Sequence, residues 1–117
     1  MIDILNIVAA LLTIAFGLFG FLAPRYTASA LDLAPTDSTM GLSEMRASVG
    51  GLFVVAGFAA IWIDAPLAYA MIGFAFVGAA AGRVISLILD KPPLKKVLLF
   101  GGIEAALAAW FIAANPF

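Results

Sequence analysis

Four apolar runs, each about long enough to cross a bilayer as a helix, take up most of this chain, and the breaks between them are built from proline and charge. The runs cover residues 4–23, 42–63, 66–89 and 93–114. A hydrocarbon core about 30 Å thick needs ~20 residues of α-helix, because each residue advances the helix by about 1.5 Å. Inside lipid no water is available to backbone N–H and C=O groups, so a spanning run must satisfy them internally, as a helix does. The pattern therefore predicts an all-α polytopic membrane protein: a four-transmembrane-helix bundle forming a single domain over residues 1–117. Composition agrees. The chain is 65% hydrophobic and only 11% charged, with a mean hydropathy of +1.17, whereas a soluble domain carries charge on roughly a quarter of its residues.

The breaks set the connections. Pro24-Arg25 ends the first run. Ala28-Ser29-Ala30 has the small-x-small pattern of a signal-peptide cleavage site, but Met1-Ile2-Asp3 lacks a positive leader and the run is too long for a signal core, so a retained helix is expected. Residues 24–41 form the one sizeable connection. Pro35, Thr36, Asp37, Ser38 and Gly41 are turn formers there, and Leu31 with Leu33 suggests a short interfacial segment. Gly41 is the expected N-cap of the second helix. Asp64-Ala65-Pro66 reads as a tight turn with Pro66 opening the third helix, and Asp90-Lys91-Pro92-Pro93 separates the third from the fourth. Arg25, Arg46, Lys91, Lys95 and Lys96 fall on the face carrying the long loop, and Arg83 lies toward it. The opposite face has neither lysine nor arginine. Positive charge is retained on the cytoplasmic side, so both termini are expected outside, in the periplasm of a bacterium.

Residue types absent from the chain exclude whole chemistries. With no cysteine and no histidine, a disulfide, a thiolate nucleophile, thiol redox, a Cys/His zinc site and histidine-ligated haem are all impossible. No basic tract exists to bind nucleic acid. No acidic cluster or nucleophile motif points to a metal, a cofactor or a catalytic residue, which leans away from an enzyme.

Residues 14–25 align with residues 72–83, with Ile, Phe, Gly, Ala and Arg recurring in place, and Gly50-Gly51 and Gly101-Gly102 follow at similar distances. Two similar helical hairpins would explain this; so would coincidence in a chain rich in Ala, Gly and Phe. Both readings stand open. Each helix also carries small residues at i, i+4 spacing: Ala9, Thr13 and Gly17; Ala47 and Gly51, flanked by Ser48; Gly78, Gly82 and Ser86; Gly101, Ala105, Ala109 and Ala113. Lipid tails are as apolar as leucine, so helices in a bilayer gain most from close backbone approach, and these positions are the expected packing points. Trp62, Tyr69 and Trp110 fall near the termini face, where an aromatic belt is expected.

Ionisable groups at membrane depth are costly and are functional suspects. Glu104 lies near the middle of the fourth helix and Arg83 about two turns inside the third, on antiparallel neighbours. Side chains lean toward their helix N-terminus, which closes the depth between these two and makes an ion pair natural. Ser86, one turn from Arg83, could add a hydrogen bond. Glu44 and Arg46, two residues apart near the start of the second helix, point to different faces. Glu44 is either a first-turn acid or a site residue, and Arg46 either snorkels to lipid phosphate or joins the site. Arg83 and Glu104 either fix helix register or line a polar pocket.

With these residues in view, the chain resembles a family of small four-helix bacterial inner-membrane proteins known only as a domain of unknown function. The resemblance rests on GLSEMRASVGGL around Glu44, Arg46, Gly50 and Gly51, on GRVISLILD around Gly82, Arg83 and Ser86, and on GGIEAAL around Glu104. Val49 stands where the family pattern leads one to expect an aromatic. A looser likeness to DoxX-type four-helix proteins accompanies it. The resemblance implies the fold and leaves the activity open.

Three functions fit. The first is a non-enzymatic bundle: an accessory or scaffold subunit of a membrane complex, or a binder of lipid or quinone, with the bilayer and a homo-oligomer or larger complex as partners. The second is a small oligomeric proton-coupled transporter using Glu104 and Arg83. Against it, the small multidrug resistance class places its essential glutamate in the first helix, and here only Asp3, at the edge, is acidic. The third is a membrane enzyme acting on lipid head groups through Glu44, Arg46, Arg83 and Glu104. The first leads.

Overall fold

The computed structural model describes residues 2–117, and five helices with no strand make up the described residues. They are α1 (Ile2–Leu22), α2 (Pro24–Ala30), α3 (Met40–Ile63), α4 (Pro66–Leu89) and α5 (Leu94–Ala113). Four of them, α1, α3, α4 and α5, are long and apolar enough to cross a membrane. The chain is an all-α membrane protein with four transmembrane helices.

Local chemistry explains most of the boundaries. Asp64 takes a left-handed conformation (φ 50°) and Ala65 an extended one, so the chain reverses within two residues and Pro66 opens α4 with its φ already helical. Lys91, also at φ 50°, reverses the chain between α4 and α5. The long connection differs from expectation. Its helical segment is α2, set by Pro24 at the first helical position, and not the stretch around Leu31 and Leu33. Those two leucines close α2 instead: the Leu33 N–H reaches back to the Ala28 carbonyl at 2.8 Å across a left-handed Asp32 (φ 60°). Helix α3 begins at Met40, with Thr39 in the cap position and its carbonyl accepting from Leu42 and Ser43 at 3.0 and 3.2 Å. Gly41 is thus inside the first turn and not the N-cap. Within α3, Met45–Gly51 is wound as a wider π-helix, a feature that no residue pattern signalled.

The chain divides into two compact units. One comprises residues 7–62, where α1 runs antiparallel to α3. A Cβ on Gly17 would lie 2.9 Å from both the Gly50 carbonyl oxygen and the Val54 nitrogen, and one on Gly20 would lie 3.0 Å from the Gly50 nitrogen. A Cβ on Gly50 would strike the backbone of Gly20 and Phe21. The two backbones touch at this crossing, as packing in lipid requires. Gly17, Gly20 and Gly50 share the contact. A Cβ on Gly51 would meet the Arg46 carbonyl oxygen at 3.4 Å and the Phe21 ring at an ordinary 3.5 Å.

The other unit joins the first turn of α1, through Asn6, to residues 63–117. Here α4 and α5 are antiparallel, and Gly73 seats against the Phe111 Cβ and an Ile112 side-chain carbon, each 2.8 Å from where its own Cβ would stand. Phe111 is fully buried and stacks on Tyr69 and Phe76 at centroid distances of 6.4 and 6.5 Å. Asn6 and Asn115 exchange two amide hydrogen bonds, of 2.7 and 2.9 Å, and Asn115 also donates to the Phe111 carbonyl at 2.8 Å. Both asparagines are buried. Asn115→Leu would leave the Asn6 amide unpaired and is expected to cost about 1–3 kcal/mol. The check is SDS titration of the protein in mixed micelles, where Asn6→Leu with Asn115→Leu should recover most of the loss.

Three expectations are corrected in this unit. A methyl group placed on Gly78 or Gly82 would meet nothing within 4 Å, so neither is a packing point within the chain, and Ala105 is exposed. The α4–α5 approach is closest at Gly73 and Gly101, which turns the Gly78 and Gly82 side of α4 outward. Tyr69 is not a belt residue: it is buried and its hydroxyl donates to Asp64 at 2.9 Å, whereas Trp62 is 90% exposed. The chain does contain two helical hairpins, but the aligned residues do different work. Gly20 is pressed against α3 while its counterpart Gly78 faces open space.

Candidate functional site

Arg83 and Glu104 meet across α4 and α5. The Arg83 Nε donates to Glu104 Oε1 at 2.9 Å and Nη2 donates to Oε2 at 3.3 Å, so both carboxylate oxygens are engaged by one guanidinium. Such a two-point pair fixes orientation as well as distance. Gly101 makes the approach possible, because a Cβ there would already sit 3.3 Å from Arg83 Cγ. Phe100 places its ring 5.7 Å from Arg83 Cζ and adds a cation–π contact. Arg83 lies six positions before Leu89 and Glu104 ten after Leu94. At about 1.5 Å per residue these are depths of roughly 9 and 15 Å from the helix ends. The arginine side chain is 34% exposed and the glutamate 18%. Among the described residues the Ser86 hydroxyl makes no bond to Arg83; Ser86 instead uses its carbonyl to accept from the Asp90 N–H at 2.8 Å.

Glu44 and Arg46 close on partners of their own in the unit of residues 7–62. Arg46 Nη1 donates to the Phe21 carbonyl at 2.7 Å, satisfying a backbone oxygen in the last turn of α1 that has no helical partner. The Ser48 hydroxyl donates to the Glu44 carboxylate one turn along α3. The two charged side chains thus point apart, as the i, i+2 spacing predicts. Beside Arg46 lies a shallow, open surface pocket of about 540 Å³ lined by Thr39, Leu42, Ser43, Arg46 and Ala47. These positions follow an i, i+3, i+4, i+7, i+8 pattern along one face of α3, and Glu44 and Ser48 are not part of it. Among the described residues, no group of three or more acids comes together that could hold a metal ion.

Two further polar contacts were not expected from the residue pattern: the Asn6–Asn115 pair and the Tyr69–Asp64 bond. A trace of the first was visible. Asn6 interrupts an apolar run, and Asn115 follows another just before Pro116. What could not be read was that residues 109 positions apart share one hydrogen-bonded pair.

No curated protein and no solved structure matches the chain. The DoxX-type likeness finds no support in these comparisons. One family model does match, over residues 1–115, a span that includes Glu44, Arg46, Arg83 and Glu104. On that nearly complete coverage, the chain belongs to the family described as Domain of unknown function (DUF4345).

Proposed function

We propose that this protein is a non-enzymatic accessory or scaffold subunit in a bacterial inner membrane, with its lysine- and arginine-bearing face in the cytoplasm and both termini in the periplasm. The observation that carries this reading is the closed Arg83–Glu104 pair. The glutamate that a proton-coupled transporter would cycle, or a head-group enzyme would use as an acid, has both oxygens committed to holding α4 against α5. An acid so engaged clamps two helices. The charge bias of the loops supports the orientation.

The test is native mass spectrometry of the protein purified in lipid nanodiscs, together with proton flux in liposomes. A stable complex with other membrane subunits and no flux is the expected result. Proton-coupled flux that Glu104→Gln abolishes would replace this reading with transport.

A further inference from the structure

We propose that the cleft on α3 lined by Thr39, Leu42, Ser43, Arg46 and Ala47 is a binding site for a phosphoryl group, delivered by the head group of an anionic phospholipid. This goes beyond an accessory role, which needs no ligand. Arg46 is the centre of the site. Its Nη1 bond to the Phe21 carbonyl, at 2.7 Å, uses a single hydrogen and holds the side chain in place at the edge of the pocket. A guanidinium has five N–H donors in a fixed fork that matches phosphate oxygens two at a time, so four remain for a ligand. The hydroxyls of Thr39 and Ser43 line the same cleft and, among the described residues, Thr39 makes no capping bond and Ser43 no side-chain bond. Both are free to donate to phosphate oxygens.

Arg46 is the one charged residue in the lining. The nearest acid on the helix, Glu44, lies outside the lining and accepts a bond from Ser48 on another face of α3. Leu42 and Ala47 supply an apolar flank of the kind the glycerol and upper acyl region of a lipid would meet.

Depth supports the lipid source. Helix α3 has 24 residues, about 36 Å of helix, against a hydrocarbon core of roughly 30 Å. Arg46 lies six positions after Met40, about 9 Å from the N-terminal end of α3, a depth from which a long arginine side chain reaches head-group phosphate. Tyr26, Leu33 and Met40, all in the same unit, are more than half exposed, as residues seated in that interfacial layer would be.

The experiment compares lipid retention by native mass spectrometry. Protein is released from micelles containing equal amounts of phosphatidylglycerol and phosphatidylcholine. The wild type should retain phosphatidylglycerol about tenfold over phosphatidylcholine, the scale of one charge-assisted contact, and Arg46→Gln should bring the ratio to parity. Arg46→Gln also removes the bond to Phe21, so a second variant, Thr39→Ala with Ser43→Ala, leaves that bond intact and should lower the preference severalfold. Arg25→Gln, outside the cleft, should leave it unchanged. No preference in the wild type overturns the proposal, as does loss in Arg46→Gln without any loss in the hydroxyl variant. Added inorganic phosphate distinguishes the sources: retention that survives it supports the lipid, and displacement by it at about millimolar concentration overturns the lipid assignment in favour of the free ion.

Discussion

Gly50→Leu is expected to separate α1 from α3 and to abolish cooperative unfolding of that hairpin. The reason is the nature of the neighbour. A Cβ at Gly50 strikes the backbone of Gly20 and Phe21, and a Cβ at Gly17 comes within 2.9 Å of the Gly50 carbonyl oxygen, so neither can be accommodated by turning a flexible side chain. One helix must move away from the other. Overpacking that side chains can absorb costs about 1–3 kcal/mol; here the loss should reach the upper end of that range or exceed it. SDS titration in mixed micelles, followed by far-UV circular dichroism, reads it directly. Gly78→Ala and Gly102→Ala supply the contrast, since each opens onto free space and should change stability by no more than about 0.5 kcal/mol. If Gly50→Leu unfolds like the wild type, the α1–α3 crossing is not where the backbones meet.

The second large effect belongs to Arg83 and Glu104. Glu104→Ala would leave a guanidinium roughly 9 Å from its helix end without its carboxylate; an uncompensated charge at the helix centre costs about 2.5–3.5 kcal/mol, and the loss here is expected at or somewhat below that. Arg83→Ala should do similar damage by exposing the carboxylate. The double variant removes both charges and should lie well above either single one, because breaking an ion pair costs more than replacing it with apolar side chains. A double-mutant cycle in mixed micelles yields the coupling, expected at about 1 kcal/mol or more. Additive losses would show that the two residues act separately and would remove the support for a structural clamp. Partial exposure of the pair, 34% and 18%, keeps the expected coupling modest.

How these two sites became visible differs. Arg83 and Glu104 could be paired from the sequence because few ionisable residues lie at membrane depth, and each of these had one plausible partner across a tight turn. The i, i+2 divergence of Glu44 and Arg46 was likewise a matter of helix geometry. Their actual partners were not readable. Arg46 bonds a backbone carbonyl, which every residue possesses and no side-chain pattern marks. The packing glycines were half legible for a related reason. Small residues at i, i+4 spacing occur on every face of a chain this rich in glycine and alanine, so spacing alone could not separate Gly17, pressed against α3, from Gly78, facing outward.

What the amino-acid sequence determined by itself is the number, class and approximate ends of the spanning helices. Lipid forbids unpaired backbone, so an apolar run of sufficient length has one available structure, and proline and charge mark where it stops. The tertiary structure alone decided which faces meet. In a bilayer, burial of apolar surface does not choose between one side of a helix and another, because lipid satisfies both. The choice falls to close contacts between particular atoms: Gly17 and Gly20 against Gly50, Gly73 against Phe111, Asn6 with Asn115, and Arg83 with Glu104. These depend on how two helices cross, and that is a property of the folded chain.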